Sequence, residues 1–297
     1  MSPTMPRDSI EGRMYNDLRN LAKRNGRDPA EYFTVYALEG FLVRLAQSET
    51  GENLVLKGGA LMAAYSDRRP TRDIDFSASG FSDDIESCVS LVRSIVAIEH
   101  EDGLSFDLEG ITAETIRDES DYPGTRIHVS SKLASAKLRF HVDMNFGDPI
   151  RPRPTTTALP LLLGGKVEVL AYPLAMILAE KIVTTIDRGT ANTRWRDFLD
   201  VARIAESQEV KGSDLIVALE TVSIYRKVEL RPMKRVLDGM AENSQTKWLI
   251  WRKKQQLEND SPENFSVLLS DIICFADPAI VGEVKDKRWV PATRIWR

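Results

Sequence analysis

The chain has 297 residues, of which 42% are hydrophobic and 28% are charged, and its formal net charge is −4. This composition is typical of a globular protein and excludes a disordered chain, and the length allows one large or two modest domains. The slightly acidic balance excludes a global basic field, so any binding of nucleic acid has to come from local patches.

The cysteine pattern and the N-terminal segment indicate the compartment. Cys88 and Cys274 lie far apart without a CxxC partner, which argues against a disulfide scaffold or a zinc site and favours a reducing compartment. The segment MSPTMPRDSIEGR lacks the apolar stretch of a signal peptide, and no run approaches the roughly 18 apolar residues of a membrane span. We therefore expect a soluble cytoplasmic protein without a membrane partner.

The first half of the chain predicts alternating helices and strands. The spacing predicts helices over about 8–24, with Asp8 or Ser9 as the cap, and over about 29–48, where apolar residues recur at three- and four-residue steps. NLVLKGG predicts a buried strand ending in a glycine turn, ALMAAYS a helix, and TRDIDFSA a strand. A helix capped by Ser82 follows in SDDIESCVSLVRSIVAI, and strands are predicted at LSFDLEG, GTRIHVSSK and AKLRFHVDMNFG.

The composition changes near DPIRPRPTTTALP, where the prolines predict an extended linker or a boundary between lobes. After a strand at GKVEVLA, the chain predicts mostly helices. PLAMILAEKIVTTIDRG has Pro173 in its first turn and ends at Gly189, TRWRDFLDVARIAES follows, and three or four more helices complete the chain. The expected fold class is α+β and bilobed, with a mixed α/β lobe over 1–160 and a helical lobe over 161–297.

Three features in the first lobe carry chemistry. The Gly58-Gly59 turn between a strand and a helix offers backbone N–H groups to an anion. Asp73 and Asp75 point the same way in an extended strand, and Asp143 lies on the polar face of the later strand FHVDMNF. Several carboxylates that converge from rigid strands are what a pair of divalent ions requires.

Each of these features also has an ordinary structural explanation. A D-x-D pair is common on strand edges, and a Gly-Gly pair before a helix is by itself weak evidence for an anion-binding site. Asp143 fits equally a side chain that hydrogen-bonds a turn. The order of glycine turn, D-x-D strand and later strand aspartate is much more specific than any part. His141 shares a strand face with Asp143, but the scattered histidines form no ligand cluster and favour a structural role.

Three segments of the second lobe leave alternatives open. Lys181 falls on the apolar stripe of its helix, where it fits either snorkelling or an ammonium aimed at a nucleotide, with Arg188 seven residues on. In RWRDFLD, Asp197 and Arg196 fit an inter-helix ion pair equally well, with Asp200 capping or solvated. KWLIWRKKQQ fits RNA binding with aromatic stacking, or a helix with a tryptophan core face and a basic outer face.

The segment KGGALMAAYSDRRPTRDIDF resembles the signature of the DNA polymerase β nucleotidyltransferase superfamily and, within it, the AbiEii/MenT toxin-like family. The family pattern is a Lys-Gly-Gly turn, an Arg-x-Thr/Ser-x-Asp-x-Asp strand and a later Arg-Asp-x-x-Asp helix preceded by a lysine. The matching segments are Lys57-Gly58-Gly59, Arg69-Pro70-Thr71-Arg72-Asp73-Ile74-Asp75, Lys181 and Arg196-Asp197-Phe198-Leu199-Asp200. The resemblance covers about 50–205, and Gly59 stands where many superfamily members have a phosphate-binding serine, as it does in the AbiEii-like group.

The resemblance implies a polymerase-β-like nucleotidyltransferase lobe with a mixed sheet over 1–160 and a mostly helical lobe over 161–297 that completes the active-site cleft. It implies a Mg²⁺-dependent transfer, with two ions, of a nucleoside monophosphate from an NTP to the tRNA 3′ end, by a toxin that has a cognate antitoxin protein. The implied roles are metal binding by Asp73, Asp75 and Asp143, phosphate binding by Lys57, Gly58, Gly59, Arg72, Lys181 and Arg188, and active-site membership for Asp197, with Asp200 structural.

Three other functions stay open on the sequence alone. They are transfer to a protein hydroxyl, transfer to a small molecule such as an antibiotic, and a non-enzymatic nucleotide-binding regulator. The preferred NTP and the modification of a hydroxyl such as Ser66 or Thr71 also stay open.

Overall fold

The architecture is taken from a computed structural model, which describes residues 5–65, 71–117 and 123–297. Residues 66–70, with Ser66 and Arg69 of the sequence motif, lie outside this description. The chain divides into two compact units. One unit comprises Met1–Asp148 and Thr155–Ala171, and the other comprises Pro149–Pro154 and Tyr172–Arg297.

The helices of the first unit begin at polar caps. Its described helices are α1 (Ile10–Arg24), α2 (Pro29–Gln47), α3 (Gly58–Leu61) and α4 (Ile85–Val96). Ser9 caps α1 and Asp28 caps α2, each by accepting a hydrogen bond from a backbone N–H in the first turn. The predicted bounds of these two helices are confirmed to within two residues.

Two helix predictions in the first unit are wrong in detail. The cap of α4 is Asp84 and not Ser82, because the Asp84 carboxylate accepts from the Ser87 N–H at 2.8 Å. Hydrogen bonds from Ser82 and Ser87 hold the pKa of Asp84 at about 2. The helix predicted for ALMAAYS begins earlier, at Gly58, and narrows to a 3₁₀ turn over Met62–Ala64.

A mixed sheet forms the centre of the first unit. Its described strands are β1 (Leu54–Lys57), β2 (Asp73–Ala78), β3 (Leu104–Phe106), β4 (Thr112–Arg117), β5 (Pro123–Leu133), β6 (Ala136–Phe146), β7 (Thr155–Pro160) and β8 (Lys166–Ala171). They lie in the order β3-β5-β6-β2-β1-β8-β7, and β4 also pairs with β5. The pairs β2–β6 and β1–β8 are parallel and the other pairs are antiparallel, so the predicted mixed sheet is confirmed.

Two of these strands differ from the sequence predictions. The second half of the proline-rich segment pairs with β8 as strand β7 and is not a linker. Strand β4 was not predicted, because its sequence TAETIR is polar and carries no strong alternation.

The alternation in β6 decides which face of the sheet is buried. Leu138, Phe140, Val142 and Met144 are all buried, as predicted. On this face Phe41 of α2 packs against Phe76 and Phe140, with ring centroids 6.2 and 6.1 Å away. The opposite face of β2 and β6 is left for the polar side chains, which is where Asp73, Asp75 and Asp143 lie.

The second unit is mostly helical. Its described helices are α5 (Leu174–Arg188), α6 (Trp195–Ser207), α7 (Gly212–Arg226), α8 (Met233–Val236), α9 (Met240–Gln255) and α10 (Phe265–Ile280). The predicted helices α5 and α6 are confirmed, with Pro173 as the N-cap of α5 and not within its first turn. A small antiparallel sheet of β9 (Val210–Lys211), β10 (Arg288–Val290) and β11 (Ile295–Trp296) was not predicted.

Aromatic side chains build the core of the second unit. Trp195 of α6 packs edge-on against Phe265 of α10, with ring centroids 5.2 Å apart, and the buried Trp248 of α9 lies 5.5 Å from the same ring. None of the described helices combines the length and the apolar composition needed to cross a lipid bilayer.

Candidate functional site

Strand register brings three predicted carboxylates of the first unit together. In the parallel pair β2–β6, Asp73 lies opposite His141 and Asp75 lies opposite Asp143. In the antiparallel pair β1–β2, Lys57 lies opposite Asp75. Because directly opposite residues of neighbouring strands project from the same face, Asp75 has a carboxylate on one side and a lysine on the other.

The glycine turn closely approaches the central carboxylate. Gly58 has a φ of +67°, a left-handed conformation that glycine adopts without steric cost. A Cβ atom built on Gly58 would lie 2.0 Å from Asp75 Oδ2, so no larger residue fits there without movement. The Gly59 N–H donates a hydrogen bond to Asp75. The turn that was predicted to hold phosphate is therefore built directly against the predicted metal ligand.

The surroundings of Asp75 disfavour its ionised form. Burial of the carboxylate raises its pKa to about 6, and the charge of Asp143 and, to a smaller extent, of Asp73 raises it as well. Lys57 and the Gly59 N–H act in the opposite direction. Asp75 keeps some contact with solvent, so the protein packed around the carboxylate causes the shift even though the residue is not fully enclosed.

The other carboxylates of this cluster each have a donor. Arg126 of β5 donates to both oxygens of Asp143, with Nε–Oδ1 at 2.8 Å and Nη2–Oδ2 at 2.7 Å. His141 Nδ1 lies 2.9 Å from Asp73 Oδ1. Lys57 Nζ donates to Asp148 Oδ2 at 2.5 Å. Thus every carboxylate of the set is engaged by a side chain or backbone group of the protein itself.

The sequence analysis missed Arg126, although a signal for it exists. Arg126 lies directly opposite Asp143 in the β5–β6 hairpin, whose last paired residues are Leu133 and Ala136. Only Ala134 and Ser135 connect the two strands, and a two-residue hairpin turn determines the register of everything that follows. Counting back from that turn would have paired Arg126 with Asp143.

The donor set of this cluster fits a hard divalent cation. Asp73, Asp75 and Asp143 supply only oxygen atoms, and a cation would relieve the repulsion that raises the pKa of Asp75. The arrangement is not a ready-made cage, however. Within the described ranges, no group of three or more His, Cys, Asp or Glu side chains is placed so that it would hold a metal ion directly. Metal binding would require the carboxylates to change partners.

Arg72 and Thr71 precede the paired aspartates. The Arg72 residue is exposed, and its backbone carbonyl accepts a hydrogen bond from the His141 N–H at 3.0 Å. The Thr71 hydroxyl donates to the Asp73 carbonyl at 3.1 Å. The first of these contacts attaches the start of β2 to β6, and the predicted role of Arg72 toward phosphate stays a prediction.

The second unit contains a separate cluster around Lys181. Lys181 Nζ donates to Asp197 Oδ1 and to Asp200 Oδ2, both at 2.8 Å. Asp197 also pairs with Arg194 Nε at 2.9 Å. Asp200 is only 2% exposed, so the alternative of a solvated Asp200 is wrong.

Two further arginines lie between Lys181 and Asp197 in the sequence. Arg196 Nη2 donates to Gln255 Oε1 at 2.9 Å. Arg188 is half-buried in the last turn of α5, and its predicted role toward phosphate stays a prediction.

The helix α9 separates the tryptophans of KWLIWRKKQQ from most of its cations. Trp248 is fully buried, and Trp251 stacks on it with ring centroids 5.3 Å apart. The exposed cations are Lys247, Lys253 and Lys254. Arg252 is buried instead, and it donates to the Glu258 and Ser261 carbonyl groups, which corrects its assignment to the outer face.

Comparison with known families identifies the class of protein. A family model described as the nucleotidyl transferase AbiEii toxin of type IV toxin–antitoxin systems matches residues 40–270. The match spans most of the chain, and the chain belongs to this family. It is therefore a nucleotidyltransferase toxin. The family uses NTPs and divalent metal ions, and its toxin–antitoxin type implies a cognate antitoxin as a partner.

Similar solved structures share little sequence with the chain. MenT4, the nucleotidyltransferase toxin Rv2826c from Mycobacterium tuberculosis H37Rv, is 17% identical and matches over 85% of this chain and 92% of its own, with a TM-score of 0.49. JHP933 from Helicobacter pylori is 14% identical and matches over 83% of this chain and 91% of its own, with a TM-score of 0.48. A search of curated proteins found no match.

Proposed function

We propose that this toxin uses Mg²⁺ to transfer a nucleoside monophosphate from an NTP to a hydroxyl at the 3′ end of tRNA. The observation that carries the proposal is the alignment of Asp73, Asp75 and Asp143 on adjacent strands beside the Gly58-Gly59 turn, in a chain of the AbiEii family. A tRNA acceptor implies a reaction in the cytoplasm, and modification of the tRNA 3′ end would block translation until the antitoxin intervenes.

The reaction is an in-line displacement at phosphorus. The acceptor oxygen forms a bond to the α-phosphorus, the bond from that phosphorus to the bridging oxygen breaks, and pyrophosphate leaves with the electron pair. Asp143 is assigned to the acceptor side, where it takes the proton of the hydroxyl. Asp73 and Asp75 would hold both divalent ions, with Asp143 completing the set. Such ions would supply positive charge that offsets the developing negative charge on the leaving group.

The phosphate groups are assigned to backbone and cationic groups. The Gly58-Gly59 turn is assigned to phosphate by the sequence resemblance, and Lys57 lies beside it at the end of β1. Arg72, Lys181 and Arg188 are assigned to the same task by the sequence resemblance. Carboxylates already orient the ammonium group of Lys181, which supports a preorganised electrostatic role, and Asp197 is assigned to hold it.

The outer face of α9 supports an RNA acceptor. Lys247, Lys253 and Lys254 are exposed, and none of them has an ion-pair partner in the part of the chain that the structure describes. Trp251 lies between them in sequence and is half-buried. Unpaired lysines beside an accessible aromatic ring suit a phosphate backbone with stacked bases.

The test is transfer from labelled NTPs. Purified protein is incubated with total tRNA and each α-³²P-labelled NTP in turn, with MgCl₂ or with EDTA, and the RNA and protein products are separated on denaturing gels. We expect label in tRNA only with Mg²⁺, and a loss of roughly 10³-fold in Asp73→Asn and Asp75→Asn because each loses a charged metal ligand. Asp83→Asn, which removes an exposed acid of the same unit, should retain full activity.

The other outcomes separate the remaining functions. Label in protein and not in RNA would indicate a protein acceptor, and label in neither fraction would exclude both of these acceptors. Transfer at the wild-type rate by both Asp73→Asn and Asp75→Asn would refute the assignment of the site.

A further inference from the structure

Arg126 binds the carboxylate of Asp143, which the proposed metal site needs on the acceptor side. Its guanidinium group donates to both oxygens of Asp143, so neither oxygen of this side chain is without a donor. The Asp143 side chain is 8% exposed, whereas that of Arg126 is 31% exposed. Arg126 is therefore the more solvent-exposed member of the pair.

The backbone determines this contact. The two residues lie directly opposite each other in the β5–β6 pair, and the two-residue turn of the hairpin leaves no freedom of register. A planar guanidinium group matches the two oxygens of a carboxylate, and such forked pairs are among the strongest hydrogen-bonded contacts in proteins. The pair is thus a stable feature of the folded chain.

A divalent cation and this guanidinium group have the same chemical requirement. Both need the lone pairs and the negative charge of the Asp143 carboxylate, and the two positive charges repel each other at short distance. The described residues offer no ready-made group of three metal-binding side chains, which agrees with an Asp143 that is engaged elsewhere.

We propose that Arg126 is a positioning residue, an internal counter-ion that holds Asp143 in the metal-free protein and competes with the divalent cation for that carboxylate. The inference rests on the proposed metal site. In the absence of metal, Arg126 keeps the cluster of carboxylates compatible with folding. When metal binds, Asp143 exchanges its guanidinium partner for the cation, so Arg126 weakens metal binding and stabilises the metal-free protein.

The opposite role makes the opposite prediction. If Arg126 only oriented Asp143 as a ligand, its removal would weaken metal binding, as removal of a group that supports a ligand does. The sign of the change in metal affinity therefore distinguishes competition from support.

The experiment measures metal binding directly and needs no substrate. Metal-free wild-type protein, Arg126→Met and Arg126→Lys are titrated with MnCl₂ and with MgCl₂ by calorimetry, and their thermal unfolding is recorded in EDTA and in saturating metal. We expect Arg126→Met to bind Mn²⁺ about 10-fold more tightly than the wild type, a change of the size that groups around metal ligands produce. It should also unfold at a lower temperature than the wild type in EDTA, and added metal should raise its unfolding temperature by more.

The two further variants serve as controls. Arg126→Lys keeps the positive charge but cannot donate to both carboxylate oxygens at once. Its metal affinity and its unfolding temperature in EDTA should therefore lie between those of the wild type and Arg126→Met. Arg139→Met removes an exposed arginine from neighbouring β6 and should leave metal binding unchanged, which controls for the net charge. If Arg126→Met does not fold, the position of Arg126→Lys relative to the wild type decides the question.

The outcomes also separate this inference from the proposed function. Equal or weaker metal binding by Arg126→Met, with metal binding intact in the wild type, overturns the competition and leaves the proposed metal-dependent transfer standing. Binding of metal by neither protein overturns both. Binding by Arg126→Met but not by the wild type supports the competition in its strongest form.

Discussion

The two units each contain a cluster of charged side chains, and the clusters differ in their balance of carboxylates and cations. In the first unit the described contacts set four carboxylates, those of Asp73, Asp75, Asp143 and Asp148, against the two permanent cations Lys57 and Arg126. In the second unit they set two carboxylates, those of Asp197 and Asp200, against the two cations Lys181 and Arg194. Over these contacts the first cluster has more carboxylates than cations, and the second has equal numbers of each.

This difference indicates which cluster is suited to binding an ion from solution. Buried like charges destabilise a fold unless a counter-charge is bound, whereas a hydrogen-bonded pair of opposite charges is complete in itself. The first cluster therefore suits the divalent cations that the family uses, and the second suits a preorganised cation held by its own acids. Removal of a charge should accordingly have opposite effects on stability in the two units.

The largest effect is expected in the balanced cluster. Lys181→Met would leave Asp197 and Asp200 largely buried with their main cation removed, at a cost of about 3–5 kcal/mol in the free energy of unfolding. Urea denaturation followed by fluorescence measures this change. Lys181→Arg keeps a positive charge, so its free energy of unfolding should fall clearly less than that of Lys181→Met. A Lys181→Met protein as stable as the wild type would mean that the cluster is not balanced by this contact.

A change of opposite sign is expected in the acidic cluster. The pKa of Asp75 is raised from 3.8 to about 6, so the folded protein binds more protons than the unfolded chain between these values and its stability falls as the pH rises through that window. At about pH 7 this corresponds to a penalty of up to about 3 kcal/mol. Asp75→Asn should remove the penalty.

The measurement compares wild-type protein and Asp75→Asn by urea denaturation in EDTA from about pH 4 to about pH 7. Asp75→Asn should be the more stable protein at the upper end, and the difference should shrink toward the lower end. A wild-type protein that gains stability relative to Asp75→Asn as the pH rises would show that burial and the neighbouring acids do not disfavour the ionised form of Asp75.

The smallest effect is expected at the edge of the balanced cluster. Arg194 pairs with Asp197, but its side chain is 51% exposed and solvent screens the contact. Arg194→Gln should therefore cost no more than about 1 kcal/mol. Denaturation in low and high salt tests this, since an exposed pair should contribute less as the salt concentration rises. A loss as large as that of Lys181→Met would place Arg194 among the essential charges of the cluster.

Local patterns predicted much of the fold. The spacing of apolar residues and the caps located α1, α2, α5 and α6, and the strict alternation of β6 placed Asp143 on the polar face. Strand β7 was missed because its prolines and threonines predicted a linker, while pairing with β8 decided its conformation. The cap of α4 was misplaced because serine and aspartate are both good caps and only the hydrogen bond to Ser87 distinguishes them.

The sequence by itself determined the residue types and their order: a glycine turn, paired aspartates on one strand face and a later aspartate on another strand. Only the tertiary structure decided the partners of these groups, because charges far apart in the chain become neighbours through strand register and helix packing. Register placed Arg126 on Asp143 and His141 on Asp73, and helix packing buried Asp200 against Lys181. Such contacts depend on distances of a few ångströms between segments that local patterns predict separately.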